Sequence, residues 1–441
     1  MRWLLGSISR STVRPPLFRL GVRPLSRIAS VLHDAERVSV PVGSSGNVNI
    51  DLHNLSKVSS SEPLLIYLPP FSTSAPAGNL AQLPRFAQRY ATAVINYRWT
   101  EPSPEDAPVQ DDALDGEGHI FRRFHPGWPA PIHDTLKAYT WIVENLIPPT
   151  YARRDIYVYG SYLGASLATS LALTEAHPHE RMAVRGCVAY NGIYNWTTFL
   201  PDHPINKAPK SSSSPSGHFL EDILALPGDP DFQDLRHMAR DLFPRPDDLF
   251  DPFASPCLFF HTPGLLVPPS FDASAIPSPP PSALADLPWL PEGAVDELVL
   301  ALAPPRQPRR SPLIFPPRTS TLKIPEVLLL HDAAPPLPPS LLRRRQRRQK
   351  RTTRGNNFRV QAEELAALMR RSIDKVELKE RMKWDEDAGG WDDEADRRVQ
   401  VNEVGAAGDD DDAAAAWLED RMLRQPRRSS HLNDYDVLGL S

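Results

Sequence analysis

Residues 156–175, IYVYGSYLGASLATSLALTE, constrain the fold more than any other part of the chain. Ile156, Tyr157, Val158 and Tyr159 form an apolar, β-branched and aromatic run that reads as a strand. Gly160 and Gly164 bracket a tight turn, after which small and apolar residues recur at helical spacing. A strand that passes into a helix this abruptly leaves no room for Cβ atoms at the two ends of the turn, which is why glycine stands at both. Tyr162 occupies the tip.

The same alternation of strand and helix extends in both directions. Residues 37–42 and 47–54 alternate apolar and polar side chains across Ser44, Ser45 and Gly46, which predicts an antiparallel hairpin. Residues 63–70 and 91–97 are short continuous apolar runs, the signature of strands buried on both faces of a parallel sheet, with a helical segment between them. A helix is expected over 132–146 and a sixth strand over 182–192. A seventh strand is read at 255–262 and an eighth at 322–332, and a helix over 360–373 closes the unit. The expected fold class is therefore α/β: a doubly wound, mostly parallel eight-stranded sheet behind an opening hairpin, with helices on both faces.

Between those elements the chain carries 49 prolines in 441 residues, about twice ordinary usage, which implies long loops and insertions. The expected organisation is a basic arm at 1–34, an α/β domain at 35–375 and an acidic, largely disordered tail at 376–441. Within the domain, 197–252 reads as a cap over the sheet and 268–321 as a proline-rich insertion, with one helix expected over 289–302. The arm holds Arg2, Arg10, Arg14, Arg19, Arg23 and Arg27 and no acidic residue before Asp34, the composition of a mitochondrial transit peptide. Pro15, Pro16 and Pro24 would interrupt the amphipathic helix that import requires, so a basic arm on a cytoplasmic protein is the competing reading.

Net charge is −5 with both signs abundant, so no nucleic-acid partner is expected. The basic run at 343–354 reads as a solvated loop before it reads as a targeting or nucleic-acid patch. No apolar run reaches the roughly 18 to 20 residues of a membrane helix. Cys187 and Cys257 fall in separate apolar runs, where reduced buried thiols are the ordinary occupants. No CxxC or Cys/His cluster indicates a metal, and no cofactor is expected.

Asn96, Tyr97 and Arg98, then residues 128–134 (WPAPIHD), then the turn at Gly160 to Gly164, in this order and spacing, resemble the α/β-hydrolase superfamily and its carboxylesterase and hormone-sensitive-lipase branch. The resemblance covers roughly residues 37–373. It implies a nucleophile elbow of the form GxSxG at 160–164, an oxyanion hole of backbone amides, an acid after the seventh strand and a histidine after the eighth. In this chain the nucleophile position is Tyr162, a bulky phenol whose ordinary pKa near 10 makes it a poor replacement for serine. Ser161 lies one residue off the tip, and Ser166 belongs to the helix. The oxyanion loop reads LPPFSTS over 68–74, where Pro69 and Pro70 have no amide hydrogen. Phe71, Ser72 and Leu163 are the amides left to donate. No carboxylate occurs from Pro252 to Phe271, so Asp272 is the first acid after the expected seventh strand. His331 is the candidate histidine, and a structural hydrogen-bonding role competes with a catalytic one. His431 lies in the tail.

These departures fall in separate loops. They imply a hydrolase-fold protein whose serine esterase chemistry is lost or strongly weakened, with a cleft for a small apolar or ester-like ligand. Two alternatives stand beside that reading. One is an active carboxylic-ester hydrolase using a rearranged set such as Ser161 with His331. The other is an interaction protein on a hydrolase scaffold, whose partner the residues do not identify.

Overall fold

The computed structural model describes residues 35–70, 83–98, 127–149, 151–206, 230–276, 306–333, 356–379, 393–405 and 409–422. The expectations placed on the arm at 1–34, on Phe71 and Ser72, on the helix at 289–302, on the basic run at 343–354 and on His431 lie outside these residues.

Eight strands form one sheet: β1 (Ala35–Pro41), β2 (Asn47–His53), β3 (Leu64–Leu68), β4 (Ala91–Asn96), β5 (Arg154–Ser161), β6 (Met182–Tyr190), β7 (Glu326–Asp332) and β8 (Val399–Val404). Their order is β1-β2-β4-β3-β5-β6-β7-β8. The opening hairpin is antiparallel, β2 runs antiparallel to β4, and every later pairing is parallel. A pairing of Arg37 with Asp51 at 2.6 Å and a hydrogen bond from Asn96 Nδ2 to Asp51 at 2.9 Å tie the first three positions of the sheet together.

The central strands are buried without interruption because both faces are covered. One face receives α1 (Ala130–Asn145), α2 (Leu163–Thr174) and, further along the chain, a helix at Phe358–Ser372. Ile132, Ala138, Tyr139 and Ile142 supply the apolar stripe of α1, at the three- and four-residue spacing of a helix face. By contrast α2 is buried from Leu163 to Leu173, as a helix held between sheet and cap must be. Side chains alternate along each strand, so Leu65, Tyr67, Tyr157, Tyr159, Leu328 and Leu330 face the other way, into a second core.

Residues 230–242 of the cap form α3 (Pro230–Leu242). In chain order the Phe358–Ser372 helix is α4, followed by α5 (Glu394–Arg398) and α6 (Asp409–Met422). Phe232, Leu235, Ala239 and Leu242 of α3 are all buried in the first core.

Three expectations are corrected. Residues 255–262 do not form a strand: Pro256–Phe259 is a 3-10 turn, followed by a single bridge between His261 and Pro312. Apolar character there reflects burial in the first core, and β6 pairs directly with β7, leaving no place between them. The strand expected as the eighth is consequently the seventh, and it begins at Glu326, beyond Pro325, whose ring nitrogen has no hydrogen for a ladder. The eighth strand comes from the segment read as a tail. There β8 extends the sheet beside β7, and α6 lays Ala414, Trp417 and Leu418 onto the second core. Arg398 anchors that segment through an ion pair with Glu377 at 2.7 Å, both side chains largely buried, and through the carbonyl of Ile324.

Candidate functional site

The residues that carried the family resemblance meet at the carboxyl ends of the strands. Arg98 donates to the buried Asp134 carboxylate through Nε at 2.9 Å and Nη2 at 2.6 Å, and its backbone N–H adds a third bond at 2.9 Å. The Tyr97 hydroxyl donates to the carbonyl of Pro69, holding the chain as it leaves β3.

The turn after β5 closes as its glycines require. A Cβ on Gly160 would strike the carbonyl of Gly164, and one on Gly164 would strike the backbone of Leu68 and Pro69. Between them Tyr162 sits at φ 52° and ψ −113°, a conformation that side chains with a Cβ rarely adopt. The Tyr162 amide donates to the carbonyl of Tyr190 at 2.8 Å, and α2 starts at the next residue.

The phenol is half-buried and engaged on several sides. Its hydroxyl donates to Oδ2 of Asp231, in the first turn of α3, at 2.7 Å. Asn191 Nδ2 approaches the same oxygen at 3.4 Å. The ring packs edge to face on Tyr190 at 5.7 Å and on Phe358, the first residue of α4, at 5.8 Å. Burial pushes the Tyr162 hydroxyl well above the ordinary phenol range; the bond to Asp231 adds to that and the contact with Asn191 opposes it. A phenol held in this way is a hydrogen-bond donor and not a phenolate.

Asp332, at the end of β7, is equally committed. Its two carboxylate oxygens accept from Tyr190 Oη at 2.7 Å and from Asn191 Nδ2 at 2.8 Å, while its amide donates to Asn191 Oδ1 at 3.1 Å. Because β7 is the seventh strand, Asp332 stands where the resemblance places an acid, which corrects the expectation that this position lacks a carboxylate. After the eighth strand, however, residues 405–430 contain no histidine.

His331 is buried, and its Nδ1 lies 3.0 Å from the carbonyl of Asp332. A carbonyl only accepts, so Nδ1 carries the hydrogen. By strand alternation the ring faces α4, where it lies at a depression flanked by Arg359, Glu363, Arg370 and Glu403. Ser161 faces the opposite side of the sheet, where its hydroxyl meets Tyr67. Since β6 lies between β5 and β7, their backbones are about 10 Å apart. Ser161 and His331 are therefore not brought together. Ser166 is fully buried and donates to the carbonyl of Ile193 at 2.6 Å. Leu163 is buried at the start of α2. Asp272, the first acid after the run expected as the seventh strand, pairs with Arg240 of α3.

Sequence reasoning missed Asp231, Asn191, Tyr190 and Phe358 as partners of Tyr162. An Asn-Gly pair ending β6 was the one local signal, and Asn191 indeed takes a positive φ of 49°. Among the described residues no group of His, Cys, Asp and Glu is arranged to hold a metal ion, and no helix is long and apolar enough to cross a membrane.

No protein-family model matches the chain, and no curated protein matches it in sequence. Among solved structures it is similar to carboxyl esterase 2 from the mycorrhizal fungus Tuber melanosporum, with 13% identity and a TM-score of 0.39 over 89% of this chain and 88% of that one. The hyperthermophilic esterase from the archaeon Pyrobaculum calidifontis aligns with 13% identity and a TM-score of 0.40, over 89% and 83% of the two chains. Brefeldin A esterase, a bacterial homologue of human hormone-sensitive lipase, aligns with 14% identity and a TM-score of 0.41, over 90% and 79%. This chain's own strand order and register give a mostly parallel eight-stranded α/β sheet, with Tyr162 at the turn after its fifth strand.

Proposed function

We propose that this protein is an α/β-hydrolase-fold scaffold whose serine-hydrolase chemistry is lost or strongly weakened, with Tyr162 standing at a degenerate nucleophile elbow. The observation that carries the reading is the commitment of the Tyr162 hydroxyl to Asp231 at 2.7 Å, at the tip of a strand-to-helix turn. A carboxylate is a weak base for a phenol whose proton is held more tightly than in free phenol, so the contact with Asp231 keeps this hydroxyl protonated and does not activate it as a nucleophile. The positions of Ser161, Ser166 and His331 support the same reading, since each is engaged elsewhere. The ligand this reading assigns to the strand ends is a small apolar or ester-like molecule, in keeping with the aromatic rings of Tyr190 and Phe358 beside Tyr162.

Purified protein incubated with short-chain p-nitrophenyl esters and with a fluorophosphonate probe is expected to show neither turnover nor serine labelling. Turnover abolished by Ser161→Ala would overturn the proposal and establish the rearranged hydrolase in its place.

A further inference from the structure

Around Tyr162, at the carboxyl ends of the strands, residues from four separate elements come together. Tyr162 leaves β5, Tyr190 and Asn191 end β6, Asp231 and Phe232 open α3, and Phe358 opens α4. Phe232 packs edge to face on Phe358 at 5.1 Å and on Phe199 at 5.5 Å, so it continues the aromatic row that Tyr162 begins. The later turns of α3 are held by Leu235, Ala239 and Leu242 in the core, while its first turn meets the site through Asp231 and Phe232.

We propose that Tyr162 is a plug and latch: its ring fills the space over the carboxyl ends of β5 and β6, and its hydroxyl fastens the first turn of α3, so that access to those strand ends is gated by the Tyr162–Asp231 hydrogen bond. The proposal rests on the reading that Tyr162 carries no covalent chemistry. A hydroxyl donating to a carboxylate belongs to the stronger class of hydrogen bonds, and it joins residues 69 positions apart in the chain. The positive φ at Tyr162 is costly for a residue with a Cβ, and the contacts of its ring and hydroxyl supply what holds it there. Opening frays the start of α3 and draws Phe232 from its aromatic contacts, while the buried distal turns stay in place.

Hydrogen exchange in the full chain tests this directly at the amides of residues 234–237, which follow the first turn of α3. Tyr162→Phe keeps the ring and removes the donor, and is expected to speed exchange there by roughly threefold to tenfold, as loss of a solvent-exposed hydrogen bond to a charged group implies. The amides of β5 should keep their wild-type rates. Asp231→Ala should do the same, and the double variant should exchange no faster than the faster single variant. Tyr162→Ala removes the plug and leaves a cavity, so millimolar phenol should raise its melting temperature and slow exchange in α3, with benzene, which has no hydroxyl, doing less. Unchanged exchange in Tyr162→Phe, additive effects in the double variant, or equal rescue by benzene and phenol would each overturn the latch. Wild-type protein that hydrolysed esters yet kept the coupling between Tyr162 and Asp231 would refute the functional reading and leave the latch standing.

Discussion

Replacing Trp417 by alanine tests whether the end of the chain belongs to the folded domain. The indole is 6% exposed and sits in the second core, edge to face with Tyr157 at 6.4 Å, with the Arg421 guanidinium 3.9 Å above its ring centroid. Among the described residues its Nε1 has no hydrogen-bond partner, so the loss is one of packing and not of a polar contact. Truncating a buried tryptophan costs about 3–5 kcal/mol, and the aromatic pair and the cation over the ring are included in the upper half of that range. At roughly 2 °C per kcal/mol for a domain of this size, a cost of about 4 kcal/mol lowers the melting temperature by about 8 °C. Denaturant titration followed by circular dichroism, with a parallel thermal scan, reads both quantities. A partner substitution sharpens the test. Gly186 of β6 lies under the indole, and a Cβ there would stand 2.8 Å from Trp417 Cη2 and 2.9 Å from Tyr157 Cδ1. Gly186→Ala should therefore destabilise the wild type by about 1–3 kcal/mol through overpacking and cost distinctly less once Trp417 is alanine. A Trp417→Ala effect below about 0.5 kcal/mol, the range of an exposed surface site, would refute the placement of α6 on the sheet.

Asp134→Ala strips the partly exposed Arg98 of a fully buried carboxylate that accepts three of its hydrogen bonds. A loss of about 3 kcal/mol in denaturant titration is expected, and Asp134→Asn should retain part of it. Gly164→Ala drives a Cβ into the backbone of Leu68 and Pro69, which no rotamer can relieve. It should cost at least about 3 kcal/mol or abolish soluble expression, whereas Ala165→Gly, one residue on, should cost only about 1 kcal/mol. His261 is predicted to shape the acid side of the stability profile. Burial, the largest influence, lowers its pKa below the ordinary 6.5, and its Nε2 meets Arg310 Nη2 at 2.6 Å. The unfolded chain then binds the proton first, so stability falls as pH drops below about 6.5 and levels off once the folded-state pKa is passed. In His261→Gln that part of the slope between pH 7 and 5 should disappear from denaturant titrations; an unchanged slope would rule His261 out as its source.

Much of the sheet is legible in the sequence because its signals are local. Leu64 to Leu68 and Ala91 to Asn96 are short apolar runs between breakers, and β-structure buried on both faces has few other forms. Burial without periodicity is ambiguous, which is why Pro256 to Phe259 reads as a strand and folds as a 3-10 turn. The eighth strand shows the converse. Val399 to Val404 is short, half-exposed and surrounded by charged residues, and its place in the sheet depends on β7, on Glu377 and on Arg370, which donates to the carbonyl of Val399 at 2.7 Å.

The candidate site divides along the same line. The strand, the turn with glycine at 160 and 164 and the tyrosine at its tip are local features, because backbone sterics over five residues leave few other solutions. Alternation along β5 likewise placed Ser161 off the tip. What Tyr162 meets depends instead on long-range packing. Asp231 comes from 69 residues further along the chain, Tyr190 and Asn191 from the end of the next strand, and Phe358 from α4, beyond both β6 and β7. Their convergence is set by strand order and by the packing of α3 and α4 over the strand ends, long-range contacts that no local pattern of residues encodes.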